Sequence, residues 1–347
     1  MDSYSISISE GISLESKIWV DVRSPLEFEE DHIPGALNIP ILDNEERAII
    51  GTIYKQEGKA KAVKRGLDLV SPKLKNLYQE LEALTQKYEK VIIYCFRGGM
   101  RSGSVVDLAR SCGLEVLKLE GGYKSYRRHV MTYLQDLNSK FRFIVLHGHT
   151  GIGKTEMLLE LEKKGFSILD LEFLAKNSGS VFGDIYYKGK GPSQKFFETQ
   201  LFSKFMEFEQ KDRCVFLESE SKKIGRCVLS KDFWEMMQNG DHILVEASLD
   251  RRVERCVNDY TQKGGSNDEL LIRSIQKLKD KLGTKNVMDL IIKAEDHQYE
   301  YVARYLMENY YDKLYLHSQN KYHYDLTVNS DRMKEAVDKI ISWRKEQ

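Results

Sequence analysis

One cysteine, Cys95, lies in surroundings that could make a thiol reactive. It belongs to the apolar run 91–96 and is followed by Arg97, two glycines, Met100 and Arg101. A cysteine at the carboxyl end of a parallel strand, before a glycine-containing loop and a helix, lies where α/β sheets bind ligands. The loop N–H groups, the helix dipole and the two arginines would lower the pKa of the thiol and favour the thiolate. The pattern therefore predicts a nucleophilic cysteine with an anion-binding loop above it.

The other residues of this loop would surround the bound anion; they are Phe96, Gly98, Gly99, Met100 and Ser102. The other four cysteines lack such neighbours and are expected to be inert. No CxxC pair occurs, so neither a structural zinc site nor a disulfide framework is predicted.

A second anion site is predicted between residues 148 and 155. The segment Gly-His-Thr-Gly-Ile-Gly-Lys-Thr fits G-x-x-x-x-G-K-[ST] at every fixed position, after an apolar strand and before a helical run. Its glycines let successive N–H groups point at a phosphate, and the helix N-terminus adds its dipole. The predicted diphosphate-binding residues are Gly148, His149, Thr150, Gly151, Ile152, Gly153, Lys154 and Thr155, of which the last could hold Mg²⁺.

Further polar residues follow the predicted strands of this second half. The candidates for acid–base chemistry or substrate contacts are Asp170, Glu172, Glu218, Glu220, Arg251 and Arg252. A carboxylate at a strand end can position a metal or act as a base. A solvated strand end or an exposed helix face explains these residues equally well from sequence alone.

Composition limits the class of protein. The chain has 347 residues, with 53 basic and 53 acidic side chains, so any nucleic-acid surface must be a local patch. The polar N-terminus does not resemble a secretory signal, and the apolar runs are too short to span a membrane. We therefore expect a cytoplasmic protein. A monomer is our working expectation for its oligomeric state.

Alternating strand and helix patterns predict two α/β domains, 1–138 and 139–347, with a mainly helical stretch at 268–316 in the second. Predicted strands occupy 18–23, 91–96, 114–122, 141–148, 166–170, 214–220 and 242–248. Predicted helices include 74–88, 104–113 and 123–140.

The first 130 residues resemble the rhodanese family, whose cysteine carries sulfur as a persulfide. The matching segments are Asp21-Val-Arg23-Ser-Pro-Leu-Glu-Phe28, Asp31-His-Ile-Pro-Gly-Ala-Leu-Asn38-Ile-Pro40 and the Cys95 loop. The spacing Cys95-x5-Arg101 also fits the phosphate loop of phosphatases that share the rhodanese fold. However, Tyr94 stands where those phosphatases have histidine.

Segments along most of the chain resemble the tRNA 2-selenouridine synthase family, in which a rhodanese-like domain precedes a P-loop NTPase-like domain. Two residues of this chain depart from the family pattern. Phe96 stands where tryptophan is expected, and Ser219 stands where an acidic residue is expected. The matching segments are 44–47, 51–55, 95–102, 121–124, the P-loop, 169–172, 179–183, 192–194, 218–221 and 224–225.

This resemblance implies a transferase that acts on wobble 2-thiouridine in tRNA, first S-geranylating it and then replacing the geranylthio group with selenium. Geranyl diphosphate and selenophosphate would be co-substrates, without a tightly bound cofactor, and Mg²⁺ could accompany them. The P-loop would hold the diphosphate. Cys95 would carry selenium as a selenenylsulfide, with Arg97 and Arg101 orienting the phosphate.

A tRNA would need a basic surface, and basic residues cluster near the predicted helix 123–140. The leading candidates are Lys124, Arg127 and Arg128. They are interleaved with Tyr123, Tyr126 and Tyr133, which could stack on an unpaired base. A solvated helix face is an equal alternative.

Three other functions remain compatible with the two loops. The chain could be a cysteine phosphatase with a regulatory P-loop domain, or a P-loop kinase with a non-catalytic rhodanese module. It could also be a sulfur-carrier or tRNA-binding adaptor without enzymatic activity. Phosphate release would favour the phosphatase, and ATP turnover would favour the kinase. Persulfide formation without a tRNA product would favour the adaptor.

Overall fold

The computed structural model describes residues 4–177, 191–263, 268–313 and 321–347. It divides into two compact units, residues 1–134 with 198–203, and residues 135–197 with 204–347. Each unit contains a five-stranded sheet in which every pair of neighbouring strands is parallel. The predicted α/β class with parallel sheets is confirmed.

The sheet of the first unit has the strand order β1-β5-β4-β2-β3. Its strands are β1 (Ser5–Ile6), β2 (Lys17–Asp21), β3 (Leu37–Asn38), β4 (Lys90–Tyr94) and β5 (Val116–Leu119). The helices are α1 (Ile8–Ser13), α2 (Pro25–Glu30), α3 (Asn44–Gln56), α4 (Lys59–Val70), α5 (Leu74–Lys87), α6 (Met100–Ser111) and α7 (Gly122–Gln135).

The central strand β4 positions the reactive cysteine. Val91, Ile92, Ile93 and Tyr94 are all fully buried, as expected for a parallel strand covered on both faces. Helix α5 buries Leu77 and Leu81, residues of the predicted apolar stripe. Because β4 is central and ends at Tyr94, Cys95 comes at the carboxyl edge of the sheet.

The sequence patterns did not predict helices α3 and α4. Helix α3 begins with a capping box in which Asp43 accepts from the Glu46 N–H and Glu46 accepts from the Asp43 N–H. It has no buried residue, and α4 buries only Ala62. Both helices therefore contribute little to the fully buried core of the unit.

The sheet of the second unit has the order β12-β11-β6-β8-β7, with a separate β9-β10 pair. Its strands are β6 (Arg142–His147), β7 (Ser167–Leu169), β8 (Cys214–Glu218), β9 (Lys223–Ile224), β10 (Cys227–Val228), β11 (Asp241–Glu246) and β12 (Leu326–Asn329). The helices, numbered here in chain order, are α8 (Lys154–Lys163), α9 (Leu171–Ala175), α10 (Gln194–Phe208), α11 (Lys231–Asn239), α12 (Leu249–Asn258), α13 (Asp268–Gln276), α14 (Lys279–Leu282), α15 (Thr284–Glu295), α16 (Tyr299–Leu306) and α17 (Met333–Lys345).

The second unit has two apolar cores. One lies around the sheet and includes Ile144, Leu158 and Phe216. The other lies among helices α13 to α16 and includes Ile275 and Leu290. The mainly helical segment predicted from residue 268 is confirmed as far as residue 313, and 314–316 lie outside the described residues.

Candidate active sites at two anion-binding loops

Cys95 is the best-placed nucleophile of the first unit. It directly follows β4, and α6 begins five residues later at Met100. The side chain is buried, and its Sγ lies 3.2 Å from the Ser102 hydroxyl oxygen in the first turn of α6. The thiol therefore faces the positive end of a helix, as the sequence predicted.

The surroundings of Cys95 favour the thiolate. Burial raises the pKa of this thiol, but hydrogen bonds from the Ser102 side chain and from the Ser102 and Arg97 N–H groups oppose it. The charge of Arg101 acts in the same direction, and the net pKa lies below its ordinary value. A larger thiolate fraction at neutral pH makes Cys95 a better nucleophile.

The loop after Cys95 is held by a double-glycine turn at the start of α7. The N–H groups of Tyr123 and Lys124 donate to the carbonyls of Cys95 and Phe96, both at 2.9 Å. Gly122 has φ +58°, and a Cβ there would lie 2.2 Å from the Cys95 carbonyl oxygen. Only glycine allows the two backbones to approach so closely. The segment 121–124 and the Cys95 loop are therefore one structural unit.

The two loop arginines differ in their contacts. Arg101 donates to both carboxylate oxygens of Glu27, at 2.7 and 3.3 Å. Arg97 is exposed, and among the described residues it makes no ion pair. Arg101 thus acts on the thiol from a fixed position, and Arg97 is the arginine that an incoming anion can recruit.

The rhodanese-like signature residues of β2 act as a scaffold. Asp21 and Arg23 are buried and form a bidentate ion pair. Arg23 also donates to the Asp31 carbonyl at 2.8 Å and lies over the Tyr123 ring. The ion pair therefore connects β2, the strand beside β4, to Tyr123 at the start of α7. Because Tyr123 also bonds to the Cys95 carbonyl, the pair helps to hold the Cys95 loop in place.

The P-loop of the second unit joins β6 to α8. Gly148, Gly151 and Gly153 have φ values of +145°, +80° and +86°, which favour glycine. A Cβ at Gly148 would lie 2.4 Å from the Val245 carbonyl oxygen. Lys154 donates to the Gly148 carbonyl at 3.1 Å, so its ammonium lies over its own loop, where a phosphate would bind.

Two arginines on α12 support the P-loop from behind. Arg252 is buried, donates to the Thr150 carbonyl at 2.9 Å and pairs with Asp312, which also contacts His149. Arg255 donates to the Ile152 carbonyl at 3.0 Å. Sequence reasoning missed Arg255 and Asp312. The spacing of the arginines, three apart on the helix that follows β11, is the only signal that could have indicated Arg255.

Arg251, the other candidate on α12, differs from Arg252. It is exposed and pairs with Glu254 one turn along the same helix. The structure therefore brings Arg252, and not Arg251, to the P-loop.

The four predicted carboxylates lie close to one another, and two of them, Glu172 and Glu220, lie close to Lys154. Glu218 ends β8, is buried, and accepts from the Glu172 N–H at 3.0 Å. Asp170 caps α9 by accepting from the Phe173 N–H at 2.8 Å. Among the described residues, no three His, Cys, Asp or Glu side chains are arranged to hold a metal ion.

Glu172 and Glu220 form a half-buried pair of carboxyl groups. Burial and the nearby Glu220 charge raise the pKa of Glu172 to about 9, and the charge of Lys154 only partly offsets them. Burial also raises the pKa of Glu220, again against Lys154. The pair therefore retains a proton at neutral pH, as acid–base catalysts do.

Replacing Glu172 by glutamine is expected to remove part of the pH dependence of stability. The folded pKa is raised from 4.5 to about 9, so this proton stabilises the fold fully below the lower value, and the contribution is lost as pH rises through the higher one. The slope for one proton is at most about 1.4 kcal/mol per pH unit. Urea denaturation across this window should show the stability of the wild type falling relative to the variant.

The exposed acid Glu162 on α8 provides the control, because its replacement by glutamine should leave the pH profile unchanged. A constant difference between wild type and Glu172→Gln would mean that Glu172 is ionised in the folded protein.

Family models match the two halves of the chain separately. Residues 8–129 match the rhodanese-like domain, and residues 141–347 match the tRNA 2-selenouridine synthase AAA domain. The tRNA 2-selenouridine synthase of Shewanella woodyi is 31% identical over 334 residues, which cover 88% of each chain. That of Hydrogenovibrio crunogenus is 31% identical over 94% of this chain and 97% of its own.

The chain belongs to the tRNA 2-selenouridine synthase family. The family resemblance noted in the sequence is thereby confirmed. A crystal structure from Clostridium difficile 630, of the N-terminal domain of a protein described as ATP/GTP binding, is 49% identical. It covers 37% of this chain and 98% of its own, with a TM-score of 0.36.

Two of the segments that first indicated the tRNA 2-selenouridine synthase family, 44–47 and 51–55, both lie on α3. The segment 179–183 lies outside the described residues. In the described parts of the chain, no helix is long and apolar enough to cross a membrane.

The candidate tRNA-binding residues lie on α7 and differ in exposure. Lys124 and Arg128 are exposed. Arg127 is half-buried, pairs with Glu198 and lies 3.8 Å from Asp31. Tyr123 and Tyr126 are buried, as is Tyr133. The expectation that these tyrosines stack on a base is wrong, because their rings pack inside the unit.

Proposed function

We propose that the chain converts wobble 2-thiouridine in tRNA to 2-selenouridine through an S-geranyl intermediate, using geranyl diphosphate and selenophosphate. The observation that carries the proposal is the pair of complete anion-binding loops, one beside an activated thiol and one a P-loop. Family membership supports the formation of 2-selenouridine in tRNA, because the relatives are named for it, and the S-geranyl intermediate and the two co-substrates are our proposal. We further propose that the protein acts in the cytoplasm and as a monomer.

In the first step, the sulfur of thiouridine attacks the terminal carbon of geranyl diphosphate. A C–S bond forms, the C–O bond breaks, diphosphate leaves and the N3 proton is released. The P-loop N–H groups and Lys154 would stabilise the leaving diphosphate. The Glu172–Glu220 pair lies near Lys154 and could accept the N3 proton or protonate the diphosphate.

In the second step, selenium replaces the geranylthio group. With selenophosphate and water as reactants, the products are selenouridine, geranylthiol and phosphate, and no oxidation or reduction is needed. Alkylation is required first, because a thiocarbonyl sulfur is a poor leaving group. The Cys95 loop would hold the phosphate group of selenophosphate, with Arg97 closing on it.

Electron balance restricts what Cys95 does. A selenenylsulfide on Cys95 would lie two electrons above a thiol and a selenide, whereas attack of the thiolate on phosphorus is redox-neutral. That attack forms an S–P bond, breaks the P–Se bond and releases selenide beside the geranylated base. Water then hydrolyses the phosphocysteine. Selenophosphate without tRNA should leave phosphorus on Cys95, and selenium found there by mass spectrometry would instead favour the selenenylsulfide.

One experiment tests the whole reaction. The protein is incubated with thiolated tRNA, geranyl diphosphate and selenophosphate. The tRNA is then digested, and the masses of its nucleosides are measured by mass spectrometry. Geranylated and then selenated uridine are expected. If neither product formed, the proposal would be overturned. It would also be overturned if the protein released phosphate from a simple aryl phosphate, in a Cys95-dependent way, faster than it modified tRNA.

Neutralising Lys124 and Arg128 together, by replacement with glutamine, should weaken tRNA binding. Each lost phosphate contact is expected to reduce the slope of log affinity against log salt by about 0.7 to 0.9. Fluorescence anisotropy at several salt concentrations measures this slope. Replacing the exposed Lys75 and Lys87 of α5 removes the same charge and should not affect binding. Equal slopes for both double variants would exclude this face of α7 from the tRNA site.

A further inference from the structure

A cavity of about 700 Å³ lies within the first unit, beside the Cys95 loop. This volume is within the roughly 300–1,000 Å³ of typical small-molecule sites. Its walls come from α3, α4, α5, α6 and the loop, and they are mainly aliphatic. Representative wall residues are Ile50, Val63, Leu67, Leu74, Met100 and Leu108. An apolar cavity of this size is not needed to bind selenophosphate, which is small and charged.

The charged residues that border the cavity are all basic. They are Arg47, Lys55, Lys59, Arg97 and Arg101, and among the described residues no Asp or Glu lines it. Arg47 and Arg101 contact Glu27, which leaves Arg97 and the two lysines to face a ligand. An apolar chamber with a basic border is complementary to an apolar chain that is attached to an anionic molecule.

The Cys95 loop itself forms part of the wall. Phe96, Arg97, Met100 and Arg101 all line the cavity. Phe96 is 37% exposed and Met100 is 50% exposed, although both are large apolar side chains in an anion-binding loop. Contact with an apolar ligand gives these two residues a purpose that phosphate binding does not.

The cavity also gives a role to the family segments on α3. Arg47, Gly51, Tyr54 and Lys55 all line it. Gly51 lies inside a helix, where glycine is destabilising relative to alanine. A Cβ at that position would lie 3.1 Å from the Arg47 guanidinium, on the cavity wall. Glycine at this position avoids a close contact with the Arg47 side chain beside the cavity.

We infer that this cavity holds the geranyl group of S-geranyl-2-thiouridine during selenium transfer. The inference rests on the proposed function. Geranyl diphosphate carries the same chain, but its diphosphate belongs at the P-loop of the other unit, whereas the cavity adjoins Cys95. As selenide attacks C2 of the base, the C–S bond breaks, and geranylthiolate leaves into the cavity, where it takes up a proton.

Replacing Val63 by tryptophan fills the cavity from its α4 wall. Selenation of an RNA stem-loop that already carries S-geranyl-2-thiouridine should fall about a hundredfold, as expected when several methylenes lose their burial. Selenation of the S-methyl analogue, which places no chain in the cavity, should change little. Lys64→Trp is the matched control, since Lys64 is the next residue of α4, is exposed and does not line the cavity.

A second variant tests the cavity in case Val63→Trp fails to fold. Leu67 is 65% exposed and lines the cavity, so Leu67→Glu adds a charge to the wall without burying it. It should reproduce the selective loss on the geranylated RNA.

The outcomes separate the two proposals. A wild type that selenates neither RNA would refute the proposed function. A wild type that selenates both RNAs, with Val63→Trp and Leu67→Glu behaving like Lys64→Trp, would refute the cavity alone. Variants that lose geranyl transfer from geranyl diphosphate, but still selenate the geranylated RNA, would show that the cavity serves the donor and would overturn the inference.

Discussion

Cys95→Ser is expected to abolish selenation while geranylation continues, so that S-geranyl-2-thiouridine accumulates in the tRNA. The thiolate is favoured here by Ser102 and by the loop N–H groups. A serine hydroxyl at the same position stays protonated and is a far weaker nucleophile. Loss of a nucleophile of this kind should reduce selenation by at least about a thousandfold. Nucleoside mass analysis after each step measures both rates.

Cys112→Ser is the matched control, because Cys112 is exposed at the carboxyl end of α6. It should leave both rates unchanged. If Cys95→Ser retained its fold but lost both activities, the division of labour between the two loops would be wrong. If it still selenated tRNA, the thiol would have no chemical role.

Lys154→Ala is expected to give the opposite pattern, with geranyl transfer lost and selenation of pre-geranylated RNA retained. The ammonium lies over the P-loop, 3.1 Å from the Gly148 carbonyl oxygen, where it would contact the diphosphate of the proposed substrate. Removing one such group from the developing charge of a leaving group costs about a hundredfold to a thousandfold. Rates with geranyl diphosphate and thiolated tRNA provide the measurement.

Lys164→Ala, an exposed charge just beyond α8, controls for the loss of a lysine from this region. Undiminished geranyl transfer by Lys154→Ala would remove the P-loop from the mechanism. Removal of Lys154 should also raise the pKa values of Glu172 and Glu220 further, because its charge now lowers both.

The predicted elements that matched the structure share one property, which is that local sequence determines them. The runs around Val91 and Phe143 are apolar over several residues and end at loops with glycines, so β4 and β6 were found within about two residues. The glycines at 148, 151 and 153 are required by backbone geometry alone. The two anion loops were therefore visible without a structure.

What the sequence could not determine depends on residues that are distant along the chain. The pairing of Arg101 with Glu27, the support of the P-loop by Arg252 and Asp312, and the burial of Tyr123 follow from packing. A periodic pattern gives the face of a helix, but not the partner of that face.

The sequence by itself determined that a thiol and a phosphate cradle would each follow an apolar strand and precede a helix, because strand, turn and helix signals are local. Only the tertiary structure decided which carboxylates share a proton beside Lys154 and where an apolar cavity opens beside Cys95. Shared protons and cavities are properties of the space between elements. That space is created by burial of side chains from α3 to α6, and no single segment of the sequence contains it.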